Sequence, residues 1–438
     1  MKPNNKKQEV KQEPINVRYH IYRCLYNIYY YEAFSNIEVD HAIRENKLND
    51  MDAKLLTNIV YGTISHDKSL RWIIKKLSDK EPKKEAIIIL LMSLYQLYYL
   101  DKVPPFAIVH EAVSLAKRVG GDAMGKFVNA ILREAQRQNI QITADNFKDN
   151  YEYLSMLYNV PAWLIKMLET HYGKDITLKV LECNQKEAPL AFRVNTNVSS
   201  VSKLLDEYDY FSKGKLAKNS LIYTGFDSPT SILPLKNGEV SIQDESSQYV
   251  VEVLDPQDGE RMLDMCAAPG SKTTYIATLA KNSKILAIDI HEHRVNLMKN
   301  MLKTLKIDNV TCVTFDSTNL SSKEKLVGSF DKVLLDAPCL GVGVIRRKPD
   351  IALTLSGNKL DELNRLQAKL LEQAYLMLKP GGTLVYSTCS INKKENDFQI
   401  LSFISLHSDM KRVYEKQIFP YEYDSDGFYI CKMIKEPN

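Results

Sequence analysis

Two cysteines stand where apolar runs end. Cys339 follows Pro338 in the turn Asp336-Ala337-Pro338-Cys339, directly after FDKVLLD (Phe330–Asp336). Cys389 closes GTLVYSTC (Gly382–Cys389), inside a polar Ser-Thr-Cys-Ser stretch. A thiolate is a strong nucleophile, and a nearby cation or dipole lowers its pKa, so a thiol at such a place suits covalent catalysis. A buried structural cysteine is the commoner case, and Cys24, Cys183, Cys266, Cys312 and Cys431 keep that reading. Other apolar runs deliver acids: KILAID ends in Asp289, NVTCVTFD in Asp316, and FDKVLLD in Asp336. One Asp after a strand is usually a helix cap or turn residue. A series of them is hard to produce by accident.

The stretch around which these runs are arranged is Met262–Thr274, MLDMCAAPGSKTT. Its apolar start ends in the small-residue turn Cys266, Ala267, Ala268, Pro269, Gly270, and passes through Ser271 and Lys272 into a helical run. Small side chains allow a ligand close to the backbone, and the free N–H groups of a helix start favour an anionic or polar group. A phosphate-binding loop G-x-x-x-x-G-K-[ST] fails here, because Cys266 holds the leading glycine position and Ser271 precedes Lys272. The dinucleotide fingerprint G-x-G-x-x-G is absent from this turn, and Gly341-Val342-Gly343 reads as a loop. Asp289 lies ~20 residues beyond Gly270, about where a ribose-binding acid sits in nucleotide-binding α/β folds. An ordinary strand–turn–helix connection remains open for the turn taken alone.

Five apolar runs alternate with helical stretches, notably Glu292–Leu305 and Lys359–Leu378. That pattern predicts a doubly wound α/β sheet with its polar residues gathered at one edge.

With these motifs in place the chain resembles the RNA cytosine-C5 methyltransferases, which use S-adenosylmethionine, and among them the bacterial 16S ribosomal RNA enzymes of the Sun or Fmu type. The resemblance rests on CAAPGSKT, Asp289 with Arg294, FDST at Phe315–Thr318, DAPCLGVGVIRRKPDI at Asp336–Ile351, and YSTCSINKKEN at Tyr386–Asn396. VPPFAIVHEAVSLAKRVGGDAMGKFVNAILR further resembles a NusB-like helical domain, which implies RNA binding. Ser271 replaces the family's usual second glycine and Leu340 its usual serine. The implied fold is an all-α NusB-like domain over 15–145, a small α/β connecting subdomain over 146–236, and a Rossmann-like methyltransferase domain over 237–438. Residues 1–14 read as a flexible arm rather than a targeting sequence.

The resemblance also implies roles. Carbon 5 of cytosine is a poor nucleophile until a thiolate adds at carbon 6 and makes it enamine-like. Cys389 is implied as that nucleophile, and Cys339 as the group assisting proton removal and release. DNA-type enzymes use the Pro-Cys cysteine instead, and the presence of both cysteines places the chain with the RNA type. Asp336 is expected to hydrogen-bond the cytosine, and Lys272 to orient it. For the cofactor, Asp289 is expected to hold the ribose hydroxyls and Asp316 the adenine amino group, with Arg294 and Asp336 also counted among the cofactor-binding residues. The backbone Cys266–Lys272 should line the methionine moiety. Arg193 and Asn195 resemble a family position near the RNA path. Arg346, Arg347 and Lys348 are candidate phosphate contacts. A target base so deep in a sheet edge must be unstacked or flipped out.

Composition sets milder bounds. A chain of 438 residues with 45% hydrophobic content supports two or three domains with real cores. A net charge of +4 permits nucleic acid without arguing for it. Seven scattered cysteines without a C-x-x-C pair speak against a structural zinc site and suit a reducing cytosol. No metal, no membrane association, a cytoplasmic location, a ribosomal RNA partner and a monomeric state are expected. A tRNA cytosine-C5 methyltransferase is the rival within the family. An RNA-binding assembly or antitermination factor with an inactive fold is the rival outside it, and the intact Cys339/Cys389 pair argues against that one. In the N-terminal part, core packing is favoured over base stacking for Tyr95, Tyr98 and Tyr99, and His110 reads as a helix-face residue.

Overall fold

The structure, a computed structural model, describes residues 16–225 and 228–437. The expected N-terminal arm lies outside them. The chain forms two units, Met1–Ala162 and Trp163–Asn438.

The first unit is helical: α1 (Val17–Tyr31), α2 (Ser35–Glu45), α3 (Asp50–Ser65), α4 (Asp67–Leu77), α5 (Lys84–Tyr99), α6 (Pro105–Gln138) and α7 (Asn150–Tyr158). In α5 every residue from Ala86 to Gln96 except Ile87 is buried, which marks the central helix of a bundle. The periodicity predicts one helix over Met51–Lys76, but the chain breaks at His66. Asn159 satisfies the interrupted backbone there, accepting from the Lys68 N–H and donating to the Ile64 carbonyl. Gly120 and Gly121 predict a helix stop after Phe106–Val119, but α6 runs on through a kink there, where Gly121 takes φ 79°, a left-handed value that favours glycine. Tyr95 is buried, stacks on Tyr99 and meets the tilted His66 ring, a packing role. His110 is exposed on its helix.

All of α8 (Ala162–Tyr172) but its first residue belongs to the second unit, and α9 (Lys174–Cys183) follows. A small antiparallel sheet follows, in the order β2-β3-β1-β4, made of β1 (Ala191–Val194), β2 (Phe211–Lys213), β3 (Ser220–Tyr223) and β4 (Val240–Ile242). The helices α10 (Val201–Glu207) and α11 (Leu233–Lys236) accompany it. Phe192, Val194, Leu204, Phe211 and Leu221 form its core.

The larger sheet has β5 (Arg261–Asp264), β6 (Lys284–Asp289), β7 (Val310–Thr314), β8 (Phe330–Asp336), β9 (Leu378–Thr388), β10 (Met410–Ile418) and β11 (Phe428–Lys435), in the order β10-β11-β9-β8-β5-β6-β7. Strands β5 to β9 pair in parallel, whereas β10–β11 and β11–β9 are antiparallel. The expected doubly wound sheet is therefore present, but mixed. The C-terminal hairpin that completes it escapes a sequence reading, because β10 (MKRVYEKQI) is an edge strand with a largely polar alternation. Helices α12 (Glu245–Leu254), α13 (Ser271–Leu279), α14 (Glu292–Thr304), α15 (Ile351–Thr354), α16 (Gly357–Met377), α17 (Asp397–Leu406) and α18 (Pro420–Tyr423) complete the unit. Two apolar layers, one including Leu335, Leu371 and Tyr386 and the other Val250, Tyr275 and Ile276, cover the faces of the sheet. Between β5 and β8 the strand order reverses, the crevice where open α/β sheets bind ligands. Among the described residues, no helix is long and apolar enough to cross a membrane.

Candidate active site

The turn after β5 closes against its neighbours. The Ala267 N–H bonds to the Ile288 carbonyl, and the Ser317 hydroxyl donates to the Met265 carbonyl at 2.6 Å. Gly270, at φ 106°, packs so that a Cβ would lie 2.7 Å from Met298 Cγ. Only glycine meets both demands. Helix α13 then begins at Ser271, and no side chain caps the N–H groups of its first turn.

Four acids gather at this edge. Asp264, at the end of β5, is buried; Oδ2 accepts from the Thr273 hydroxyl at 2.7 Å and Oδ1 has no partner. Asp289, at the end of β6, pairs with Arg294 at 3.2 Å, and Arg294 also donates to the Ala268 carbonyl. Arg294 therefore holds the turn and Asp289 together. Asp316, after β7, is exposed and accepts from Thr318. Asp336, at the end of β8, accepts from Lys272 Nζ at 2.7 Å and from the Ser387 hydroxyl at 2.7 Å. Burial alone would lower the pKa of Lys272, but the Asp336 carboxylate, and more weakly the Cys389 sulfur, outweigh it and raise it.

This donor set fits a cationic nucleoside without phosphates. Its acids would repel a phosphate, and its one buried lysine is already paired. Hydroxyls, an amine or a sulfonium suit unpartnered or exposed carboxylates. The ligand chemistry of S-adenosylmethionine matches these residues.

Burial, opposed by Thr273 and reinforced by the Asp336 charge, pushes the Asp264 carboxyl up to about 7. The folded protein thus keeps a proton that the unfolded chain loses near pH ~4. This stabilising contribution is complete below that pH and is lost as pH rises toward the folded value. Asp264→Asn has no such proton to lose. In thermal unfolding between about pH 5 and 8, the variant should gain on the parent by up to ~1.4 kcal/mol per pH unit and level off above about 7. Parallel curves would show that Asp264 does not titrate in this range.

The two cysteines meet beyond the ends of β8 and β9. Asp336 pairs with Ser387 in the last register step, and the turns that follow bring Cys339 Sγ and Cys389 Sγ to 3.2 Å, both as free thiols. The hydrogen bond to Cys389, then burial, raises Cys339 well above the ordinary thiol range, so Cys339 holds its proton beside the other sulfur. Gly341-Val342-Gly343, read as a loop, forms a short 3₁₀ turn at Val342–Val344. There the Gly343 N–H bonds to the Cys389 carbonyl, and a Cβ at Gly343 would lie 2.0 Å from the Gly427 carbonyl oxygen.

The structure gives most of the residues expected to contact RNA partners within the protein. Arg193 is buried; its guanidinium donates to Gln243, the Ser271 carbonyl and Thr274, and lies over the Tyr275 ring. It ties the small sheet to the start of α13 and offers RNA no surface. Asn195 is likewise buried, donating to the Gly238 carbonyl and accepting from the Asn197 N–H. The Arg346 side chain is 4% exposed, bonded to Asp424 and to the Lys186 and Glu187 carbonyls. Arg347 bridges Asp244 and Asp426. Both arginines brace the Cys339 loop, and only Lys348 of the three is exposed. Sequence reasoning missed Asp264, Ser387 and Glu395; a lone acid inside the apolar run MLDM was the available signal for the first.

Fold and site together define an S-adenosylmethionine-dependent methyltransferase. Family models agree along the chain: 16S rRNA methyltransferase RsmB/F matches residues 251–434, the NusB family matches 15–137, and the RsmF/B-like ferredoxin-like domain matches 160–209. The chain is 36% identical to the probable ribosomal RNA small subunit methyltransferase B of Bacillus subtilis (strain 168), covering 92% of this chain and 95% of that protein. It is 34% identical to ribosomal RNA small subunit methyltransferase B of Proteus mirabilis (strain HI4320), covering 90% and 92%. Among solved structures, that of PH0851 matches with TM-score 0.84 at 25% identity, over 97% of this chain and 100% of that one. NSun6 from Pyrococcus horikoshii, solved with the S-adenosylmethionine analogue SFG, shares the fold at TM-score 0.59 and 21% identity, over 64% and 100%. The chain belongs to the RsmB/F family of 16S rRNA methyltransferases and is an rRNA methyltransferase.

Proposed function

We propose that this protein methylates carbon 5 of a cytosine in 16S ribosomal RNA through a covalent Cys389 adduct. The observation that carries this reading is the pair of sulfurs 3.2 Å apart beside the Lys272–Asp336 pair. S-adenosylmethionine supplies an electrophilic methyl group. Asp289 would hold its ribose hydroxyls, Asp316 its adenine amino group, and the Cys266–Lys272 backbone its methionine moiety.

Cys389 Sγ, as the thiolate, forms a bond to carbon 6 of the flipped-out cytosine, and the displaced π electrons make carbon 5 nucleophilic. Negative charge grows on the ring nitrogen as the bond forms. The Lys272 ammonium donates to Asp336 at 2.7 Å, and its proton can pass through Asp336 to neutralise that charge. After methylation the carbon 5 proton must leave and the carbon–sulfur bond must break. Cys339 Sγ, 3.2 Å from Cys389 Sγ, stands beside the adduct, in place to assist removal of that proton. Cys389 then departs with the electrons of the carbon–sulfur bond.

Incubation with S-adenosylmethionine carrying a labelled methyl group, 16S rRNA and tRNA in parallel tests the substrate. Label recovered as 5-methylcytidine in 16S rRNA supports the reading. Label in tRNA alone would favour the tRNA rival, and cofactor binding without transfer to either RNA would favour a non-catalytic protein. A single-subunit mass in solution is expected.

A further inference from the structure

Neither reacting cysteine is held by strand pairing, since both lie past the last paired residues of β8 and β9. A carboxylate that the chemistry above does not use joins their turns. Glu395 is fully buried. Its Oε1 accepts from the Leu340 N–H at 2.8 Å and from Gln367 Nε2 at 3.3 Å, and its Oε2 accepts from the Ser390 hydroxyl at 2.6 Å. Leu340 follows Cys339, and Ser390 follows Cys389. Gln367 Nε2 also donates to the Pro338 carbonyl at 2.9 Å, on the other side of Cys339. The Glu395 carbonyl is fixed by the Tyr386 hydroxyl at 2.7 Å.

A carboxylate suits this junction because it is acceptor-only, and three donors converge on it. We propose that Glu395 is the positioning residue that sets the distance between the Cys339 and Cys389 sulfurs, so that the product of attack lies within reach of the group that releases it. This rests on the covalent reading. An alanine here leaves the buried Leu340 N–H without a partner and frees the two turns to separate. A glutamine can still accept from Leu340, while its amide turns to the Ser390 oxygen, which reverses as a hydroxyl can.

Sulfur separation is measurable without any reaction on RNA. The full chain is treated with diamide, which takes the two thiol hydrogens as the disulfide forms, and the linked Cys339–Cys389 peptides are quantified by mass spectrometry. Folding of each variant is checked by circular dichroism. The parent should cross-link readily, Glu395→Gln within about threefold of it, and Glu395→Ala about tenfold or more slower, since misplacement of ~1 Å costs up to 10²-fold in rates that depend on geometry. In turnover with 16S rRNA, Glu395→Ala should retain cofactor affinity, lose kcat, and accumulate a protein–RNA adduct, with Glu395→Gln restoring release. Folded Glu395→Ala that cross-links and turns over like the parent would overturn the proposal. Should that variant fail to fold, the Gln367→Ala/Ser390→Ala double variant carries the test, and an unchanged cross-linking rate there overturns it too. Absence of any adduct with Cys339→Ala would sink the covalent reading and leave the cross-linking result to judge Glu395 separately.

Discussion

Cys389→Ala is expected to lower methyl transfer to RNA by roughly a thousandfold or more, equivalent to ~4 kcal/mol or more of barrier. Without the sulfur there is no bond to carbon 6, and carbon 5 stays a poor nucleophile. Affinity for S-adenosylmethionine should change little, because the acids and the turn after β5 assigned to the cofactor are untouched. The protein should also remain folded, since Cys389 stands beyond the last paired residue of β9 rather than within the strand. Initial rates with labelled cofactor, beside a calorimetric cofactor titration, separate the two effects. Normal transfer by a folded Cys389→Ala protein would remove Cys389 from the mechanism.

The second large effect is expected at Asp336. Asp336→Asn keeps the shape and an acceptor for Lys272 and Ser387, but removes the charge. It takes away the group assigned to the ring nitrogen, and removal of one such stabilising partner typically costs about 10²–10³-fold in kcat. The change also leaves Lys272, 11% exposed, without its counter-charge. Because Asp336 is itself 27% exposed, the stability loss should be on the order of 1–3 kcal/mol, below that of a fully buried pair. Steady-state kinetics and thermal unfolding on the same preparation read both. A kcat within a few-fold of the parent would show that Asp336 serves structure alone.

The site was partly legible in the sequence because strand ends are legible. Apolar runs that stop at Asp289, Asp316, Asp336 and Cys389 mark one sheet edge, and the observed strands β6 to β9 end at or within two residues of those positions. What was not legible is where a charged side chain goes once the chain packs. Arg193 stands in AFRV, a strand whose four residues are all buried, and its charge cues a surface role only if the strand is taken as half exposed. Arg346 and Arg347 sit in a basic run that suits phosphate, yet their acidic partners, Asp424, Asp244 and Asp426, are distant in sequence. Glu395 lies in NKKEN, which reads as a solvated charged turn. Its donors come from Leu340, Gln367 and Ser390, on three separate elements, so only the folded chain shows that it is buried.

The most direct test of the account is a denaturing gel of Cys339→Ala protein incubated with 16S rRNA and S-adenosylmethionine. Attack by Cys389 and methylation should proceed while release stalls, so a protein–RNA adduct of retarded mobility should accumulate. The Cys339→Ala/Cys389→Ala double variant should form none. An adduct that persists in the double variant, or that never forms although the parent methylates the same RNA, would contradict the assignment of Cys389 as nucleophile and Cys339 as the releasing group.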